Sequence, residues 1–376
     1  MNILIAEKLA PAAVELLRAE PGWNVIVSNP KEYQAHLATA DALLVRSAVK
    51  VNRELLEQAP NLRVVGRAGV GVDNVDLGVA TERGVLVMNT PGGNAVSVAE
   101  HTLALMLAMA RSVPQASASM RAGRWEKSKF LGTELEDKTL GVIGLGNIGV
   151  EVVKRARPFG MKIAAYDPFT SPEIALREGV EMVTLEELYR RSDYLSLHAA
   201  LTPQTKGLLN REAFAQMKDG VRIVNCARGE LIDTAALDEA LGSGKVGGAA
   251  LDVFSPEPPP PDSPLFQREK LVATPHIAGS TEEAQEKVGI RIAEQVREYL
   301  KHGVVINAVN MPAVSAEEFR QLRPYVQLAK RLGSFAAQIA RGTPVSVRLT
   351  WSGKLAESNT TLQRNPALAG ILNRFL

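Results

Sequence analysis

His276 follows the run Leu271-Val272-Ala273-Thr274 and Pro275, and the small residues Ala278-Gly279 come after it. An imidazole titrates near neutrality, so at a strand end it suits proton transfer. Glu257 lies in Asp252-Val253-Phe254-Ser255-Pro256-Glu257-Pro258, after the run Gly248–Leu251, with a proline on each side to restrict its backbone. A carboxylate bonded to His276 would raise the imidazole pKa and fix its tautomer. Arg228 stands in Asn225-Cys226-Ala227-Arg228-Gly229, after the run Arg222–Asn225. Its planar guanidinium could clamp a carboxylate with two hydrogen bonds and polarise a neighbouring oxo group. A base, an acid that orients it and an anion clamp are what hydride transfer at a hydroxyl-bearing carbon asks of a protein. The other histidines fit other places: His36 and His302 in polar surface patterns, His101 in a core or interface, His198 lining the adenine side of a nucleotide cleft. Cys226, the single cysteine, reads as a small buried residue rather than a nucleophile.

A dinucleotide signature precedes this group. Gly144-Leu145-Gly146-Asn147-Ile148-Gly149 follows the apolar run Leu140–Ile143 and opens a helical pattern. Gly144 permits a tight turn, Gly146 lets backbone approach a pyrophosphate, and Gly149 allows close helix–sheet packing. Asp167 ends the next expected strand, 18 residues beyond Gly149, where a carboxylate can accept from both ribose hydroxyls. It would also repel a 2′-phosphate, so NAD is expected rather than NADP. Gly66-Arg67-Ala68-Gly69-Val70-Gly71 is glycine-rich too, but no helix starts directly after it; its backbone could instead touch substrate.

Alternating elements must position these residues. Strands are expected at Ile3–Ile5, Val25–Val27, Ala42–Val45, Arg63–Val65 and Val85–Met88, separated by helices at Ala12–Ala19, Arg53–Gln58 and Val75–Arg83. The alternation restarts at Leu140–Ile143 and continues through Lys162–Tyr166, Tyr194–Leu197, Arg222–Asn225, Gly248–Leu251 and Leu271–Thr274, with helices at Ile148–Arg157, Leu185–Arg190, Arg211–Met217 and Thr234–Leu241. Near-continuous apolar strands between helices imply parallel sheets covered on both faces. The fold class is α/β, with two doubly wound domains facing a common cleft. Two long helices, about Val98–Arg111 and Glu282–Leu300, are expected to join them. From about Pro312 the pattern changes: Phe319–Ala340 reads as a helix, Val345–Trp351 as a strand, and about 65 residues are too few for a secure independent core.

The bulk figures exclude several classes. A length of 376 residues suits two domains and an additional segment. Residues are 46% apolar and 22% charged, with net charge +2, which gives no reason to expect nucleic acid or an anionic membrane as partner. One cysteine excludes an internal disulfide and a Cys-based zinc site, so no metal is expected. The opening Met-Asn-Ile-Leu-Ile-Ala-Glu-Lys reads as a strand rather than a signal peptide. No apolar run approaches the roughly 20 residues of a membrane span. A cytoplasmic location is expected.

The chain resembles the D-2-hydroxyacid dehydrogenases over about residues 1–310. The resemblance rests on Val45-Arg46-Ser47, Gly66–Asn74, Met88-Asn89-Thr90-Pro91, the Gly144–Gly149 fingerprint, Asn225–Gly229, Ala250–Phe254 and Pro275-His276. Gly66–Asn74 together with Gly132–Leu135 points to the phosphoglycerate branch. The resemblance implies a Rossmann-type cofactor domain at 98–284, a flavodoxin-like substrate domain from 1–97 and 285–310, and a partial α/β domain over 311–376. It implies that His276 is the acid/base, Glu257 its partner and Arg228 the substrate anchor. NAD would meet Gly144, Gly146, Asn147, Ile148, Gly149, Asp167, Cys226, Ala227, Arg228, Asp252, His276, Ala278 and Gly279. Substrate would meet Arg46, Ser47, Arg67, Gly69, Val70, Arg228 and His276, with the arginines suited to a phosphate. A homodimer or homotetramer is implied, through the joining helix and Arg121–Trp125. Long members continue to a serine-binding regulatory domain, so a chain resembling one that ends within the intervening domain is expected to escape serine feedback. Glyoxylate or hydroxypyruvate reduction is the alternative activity. Formate oxidation is disfavoured because that branch carries glutamine where Glu257 stands. An NAD-sensing corepressor shares the fold and the three polar residues, but nothing here resembles its disordered tails.

Overall fold

Short apolar runs form most of the strands, and the alternation of their side chains between two faces explains why helices lie on both. The computed structural model describes residues 1–311, 316–340, 346–357 and 360–372. It contains two units, Met1–Gly93 with Gln285–Leu376, and Asn94–Ala284.

The first unit contains β1 (Asn2–Ile5), β2 (Asn24–Val27), β3 (Ala42–Val45), β4 (Val64–Arg67) and β5 (Leu86–Met88), with α1 (Pro11–Arg18), α2 (Arg53–Glu57) and α3 (Leu77–Glu82) between them. All neighbours pair in parallel, in the order β2-β1-β3-β4-β5. Ile3 and Ile5 face one layer with Leu17 of α1, while Leu4 faces the other with Leu56 of α2 and Val79 of α3. Asn52 and Asp76 start α2 and α3 by accepting from Leu55 N and Val79 N.

The second unit opens with α4 (Ala95–Ala110) and α5 (Val113–Arg121). Its sheet is formed by β6 (Thr139–Ile143), β7 (Lys162–Tyr166), β8 (Glu181–Met182), β9 (Tyr194–Leu197), β10 (Val221–Asn225), β11 (Val246–Leu251) and β12 (Leu271–Ala273). Between these strands run α6 (Asn147–Ala156), α7 (Pro172–Arg177), α8 (Leu185–Arg191), α9 (Arg211–Gln216) and α10 (Thr234–Ser243). The order β12-β11-β10-β9-β6-β7-β8 is again all parallel and reverses direction between β6 and β9. The apolar character of α4 is explained by burial: Val98, Leu103, Met106 and Met109 pack under Leu140, Val224 and Ala250. On the other face, Leu188, Phe214 and Leu237 cover Ile143, Leu195 and Ile223.

The chain returns to the first unit through α11 (Glu282–His302), whose Ile292 and Val296 pack so closely on Gly66 of β4 that a Cβ there would lie 2.9 and 2.8 Å from them. Two further helices, α12 (Ala316–Ile339) and α13 (Thr361–Leu372), pack on each other where Gly333 meets the Ala367 backbone. The strand expected at Val345–Trp351 does not form: residues 346–351 have no regular structure, and Val345 lies outside the described residues. A single short strand has no ladder partner to hold it. Among the described residues, no helix is long and apolar enough to cross a membrane.

Candidate active site

Arg228, Glu257 and His276 follow β10, β11 and β12, three successive neighbours of the second sheet. Parallel strands all end on one side, so residues far apart in sequence meet at that edge. Each loop has its own anchor. Asn225, fully buried, donates through Nδ2 to the Arg228 carbonyl (2.8 Å) and accepts from Ala227 N (3.0 Å), which closes the turn carrying the guanidinium. Gly229 lies against the Phe254 backbone so tightly that no side chain would fit, drawing the Arg228 and Glu257 loops together.

His276 Nδ1 donates to Glu257 Oε2 at 2.7 Å, and Glu257 Oε1 accepts from Phe254 N at 2.9 Å. The hydrogen bond to Glu257 is the main reason the imidazole sits above its ordinary value, against the opposing pull of burial and of the Arg228 charge. Burial alone would raise the Glu257 carboxyl; the His276 and Phe254 N–H groups, with the Arg228 charge, outweigh it and hold the acid low. Nε2 is left as the ring atom that can exchange a proton with a substrate.

The His276 backbone is left-handed, with φ +53°, a region costly for a residue with a side chain. Asp252, fully buried at the end of β11, holds it there. Its carboxylate accepts from Thr274 Oγ1 (2.6 Å), Ile277 N (2.9 Å) and Ala278 N (2.8 Å), and His101 Nε2 approaches to 3.4 Å. Burial would raise this acid too, but that set of hydrogen bonds wins and keeps it below the usual carboxylate range. His101 therefore has a structural part in the site, bonding Thr274 Oγ1 at 3.0 Å. Neither Thr274 nor Asn225 stands out in the sequence as a support residue; the only signal is a polar side chain at the buried end of an apolar strand.

The glycine signature lies at the reversal of the sheet. Gly144 has φ +94°, and a Cβ on it would come within 2.7 Å of the His198 carbonyl at the end of β9. A side chain at Gly149 would collide with the Gly144 carbonyl, whereas Gly146 faces nothing within 4 Å. The position that must stay bare for a pyrophosphate is thus open, at the N-terminus of α6. Asp167 accepts from Leu145 N (2.7 Å) through Oδ2 and from Phe169 N (2.8 Å) through Oδ1, at the rim of a cavity of about 650 Å³ that also includes Tyr166, Met182 and Leu185. These residues fit a dinucleotide. His198 bonds Ser196 Oγ at 2.8 Å, and burial pushes it down to about 4, so it stays neutral. The Cys226 thiol is pushed up to about 12 by burial, which removes it as a nucleophile.

In the first unit, Arg46 and Ser47 follow β3, Arg67 ends β4, and Gly69-Val70 form the next turn. Gly69 has φ +152°, and the Arg67 guanidinium occupies the space a side chain there would need. The turn is tied by Asn89 Nδ2 donating to the Val70 carbonyl (2.6 Å) and Thr90 N to the Gly69 carbonyl (2.9 Å).

Residues 103–278 match the D-isomer specific 2-hydroxyacid dehydrogenase, NAD binding domain. The whole chain is 45% identical to a D-3-phosphoglycerate dehydrogenase of Archaeoglobus fulgidus, across 72% of that protein's length. The chain belongs to the D-2-hydroxyacid dehydrogenase family. It carries the family's NAD-binding domain, and residues 321–376 match the D-3-phosphoglycerate dehydrogenase intervening domain. A Bacillus subtilis D-3-phosphoglycerate dehydrogenase is 42% identical over 99% of this chain and 70% of its own. Among solved family structures, D-lactate dehydrogenase from Aquifex aeolicus, complexed with NAD and lactic acid, superposes with a TM-score of 0.71 at 29% identity, covering 83% of this chain and all of that one.

Proposed function

We propose that the chain oxidises 3-phospho-D-glycerate to 3-phosphooxypyruvate with NAD, the entry reaction of the phosphorylated route to L-serine. The observation that carries this reading is the 2.7 Å His276–Glu257 pair, within the field of Arg228, in the family's NAD domain. The relatives named D-3-phosphoglycerate dehydrogenase supply the substrate.

NAD, when bound, accepts the hydride released from C2 of the hydroxy acid. The protein handles the proton and the charge. Neutral His276 takes the hydroxyl proton at Nε2, and Glu257 stabilises the imidazolium that results. Arg228 holds the substrate carboxylate and polarises the C2 oxygen as it becomes a carbonyl. Asn147, Ile148 and Asp167 would hold the pyrophosphate and ribose, and Ala227, Asp252, Ala278 and Gly279 would supply further contacts to NAD. Arg46, Ser47, Arg67, Gly69 and Val70 take the substrate phosphate. In this reading 98–284 is the cofactor domain, 1–97 with 285–310 the substrate domain, and 311–376 a partial intervening domain. The protein works in the cytoplasm as a homodimer or homotetramer, joined around α4 and the exposed Trp125.

NADH absorbance tests the assignment. Turnover is expected with 3-phosphoglycerate and weak with D-lactate and D-glycerate. Activity confined to unphosphorylated acids would transfer the chain to the glyoxylate and hydroxypyruvate reductases.

A further inference from the structure

Glu7 is a buried carboxylate that the proposed chemistry does not use. It follows β1, and the loop after the neighbouring strand β3 closes around it. Oε1 accepts from Arg46 N (2.8 Å) and Val49 N (3.0 Å), and Oε2 from Ala48 N (3.1 Å). From the other side, Asn74 Nδ2 donates to the carbonyls of Arg46 (2.9 Å) and Val49 (2.7 Å). Donors of residues 46–49 therefore converge on one anion and two of their acceptors on one amide. The place matters. In the order β2-β1-β3-β4-β5 the connections reverse between β1 and β3, and open parallel sheets bind ligands at that crevice. Here the crevice holds the protein's own carboxylate, in the concave cluster of N–H groups that elsewhere cradles a phosphate.

We propose that Glu7 is a positioning residue: as a built-in anion at the switch point of the first sheet, it sets the shape of the Arg46–Val49 loop so that Arg46 and Ser47 meet the substrate phosphate. This rests on the function proposed above. Arg46 is half-buried and Ser47 exposed, so the loop presents them while its backbone is spent on Glu7.

Steady-state kinetics with 3-phosphoglycerate, NADH titration and thermal melting, on the full chain, test the inference. Glu7→Gln keeps the shape and the Oε1 contacts, but turns an N–H donor toward Ala48 N. It is expected to raise KM about tenfold, the worth of one charge-assisted hydrogen bond. Its kcat should stay within about twofold and NADH affinity should not move, because the substrate binding that is lost is shared equally by the ground and transition states. Glu7→Ala leaves an anion-sized gap, and added formate should restore part of its KM. Arg46→Met should raise KM alone, and adding Glu7→Gln to it should do little more, because both act through one loop. An unchanged KM in Glu7→Gln with a lower melting temperature would reduce Glu7 to a stabilising residue and overturn the inference. Parallel loss of kcat, NADH binding and KM would overturn it as well. A wild-type chain inactive on 3-phosphoglycerate would instead remove the functional reading on which it stands.

Discussion

His276 and Glu257 are joined by a 2.7 Å hydrogen bond, and the pH profile of the proposed reaction is where a working pair would show. The imidazole is held above its ordinary value chiefly by Glu257. Oxidation needs the neutral ring, so kcat/KM for oxidation should rise with pH through that raised value. Reduction needs the imidazolium and should fall through the same value. Glu257→Gln removes the carboxylate, so the ascending limb of oxidation should move to lower pH; an unmoved limb would show that the pair does not set it. His276→Ala should lower kcat about 10²–10⁴-fold, the usual worth of general acid–base catalysis, while NADH binding by fluorescence stays near wild type. Arg228→Lys keeps the charge but loses the planar fork. It should cost about ten- to a hundredfold in kcat/KM, the worth of one hydrogen bond to a charged group, and full retention of activity would remove the clamp from the mechanism.

The glycine turn before α6 is closely packed at the place where the family's NAD domain opens its helix. A side chain at Gly149 meets the Gly144 carbonyl, and that turn cannot yield without moving against the His198 carbonyl. Gly149→Val should therefore cost about 1–3 kcal/mol in stability through overpacking, and weaken NADH binding in calorimetric titration. The fingerprint was legible because each of its glycines answers a different steric demand at a fixed spacing. Arg228, Glu257 and His276, which the structure brings to one edge of the sheet, could be singled out for a related reason: each follows an apolar strand. What could not be read was the support beneath them. Asp252 meets His101 across 151 positions, and Glu7 meets Arg46 across 39, contacts created only when the elements that carry them pack together. Some elements were missed for lack of pattern. Helix α5 is polar and small-residue rich, with Ser119 its only buried residue, and β8 is a two-residue edge with both side chains exposed.

The large apolar side chains exposed among the described residues include three near one another in the sequence of the second unit and a run along one helix of the first. Met120, Trp125 and Leu131 are 55%, 80% and 93% exposed, around the place proposed for a subunit contact. If the proposed homo-oligomer joins there, replacing Met120 and Trp125 by glutamate should shift the protein toward monomer in sedimentation; an unchanged mass would count against that contact. Tyr325, Leu328, Leu332, Phe335 and Ile339 form a second stripe on α12, at the 3-4-3-4 spacing of a helix seam.

The single thiol of Cys226 carries a practical consequence. Shut inside the second unit with its proton firmly held, it should ignore maleimides under native conditions. Any cysteine engineered onto the surface would then take a dye at one defined place, so a fluorescent reporter beside either apolar patch could be installed without first stripping the wild-type chain of competing thiols.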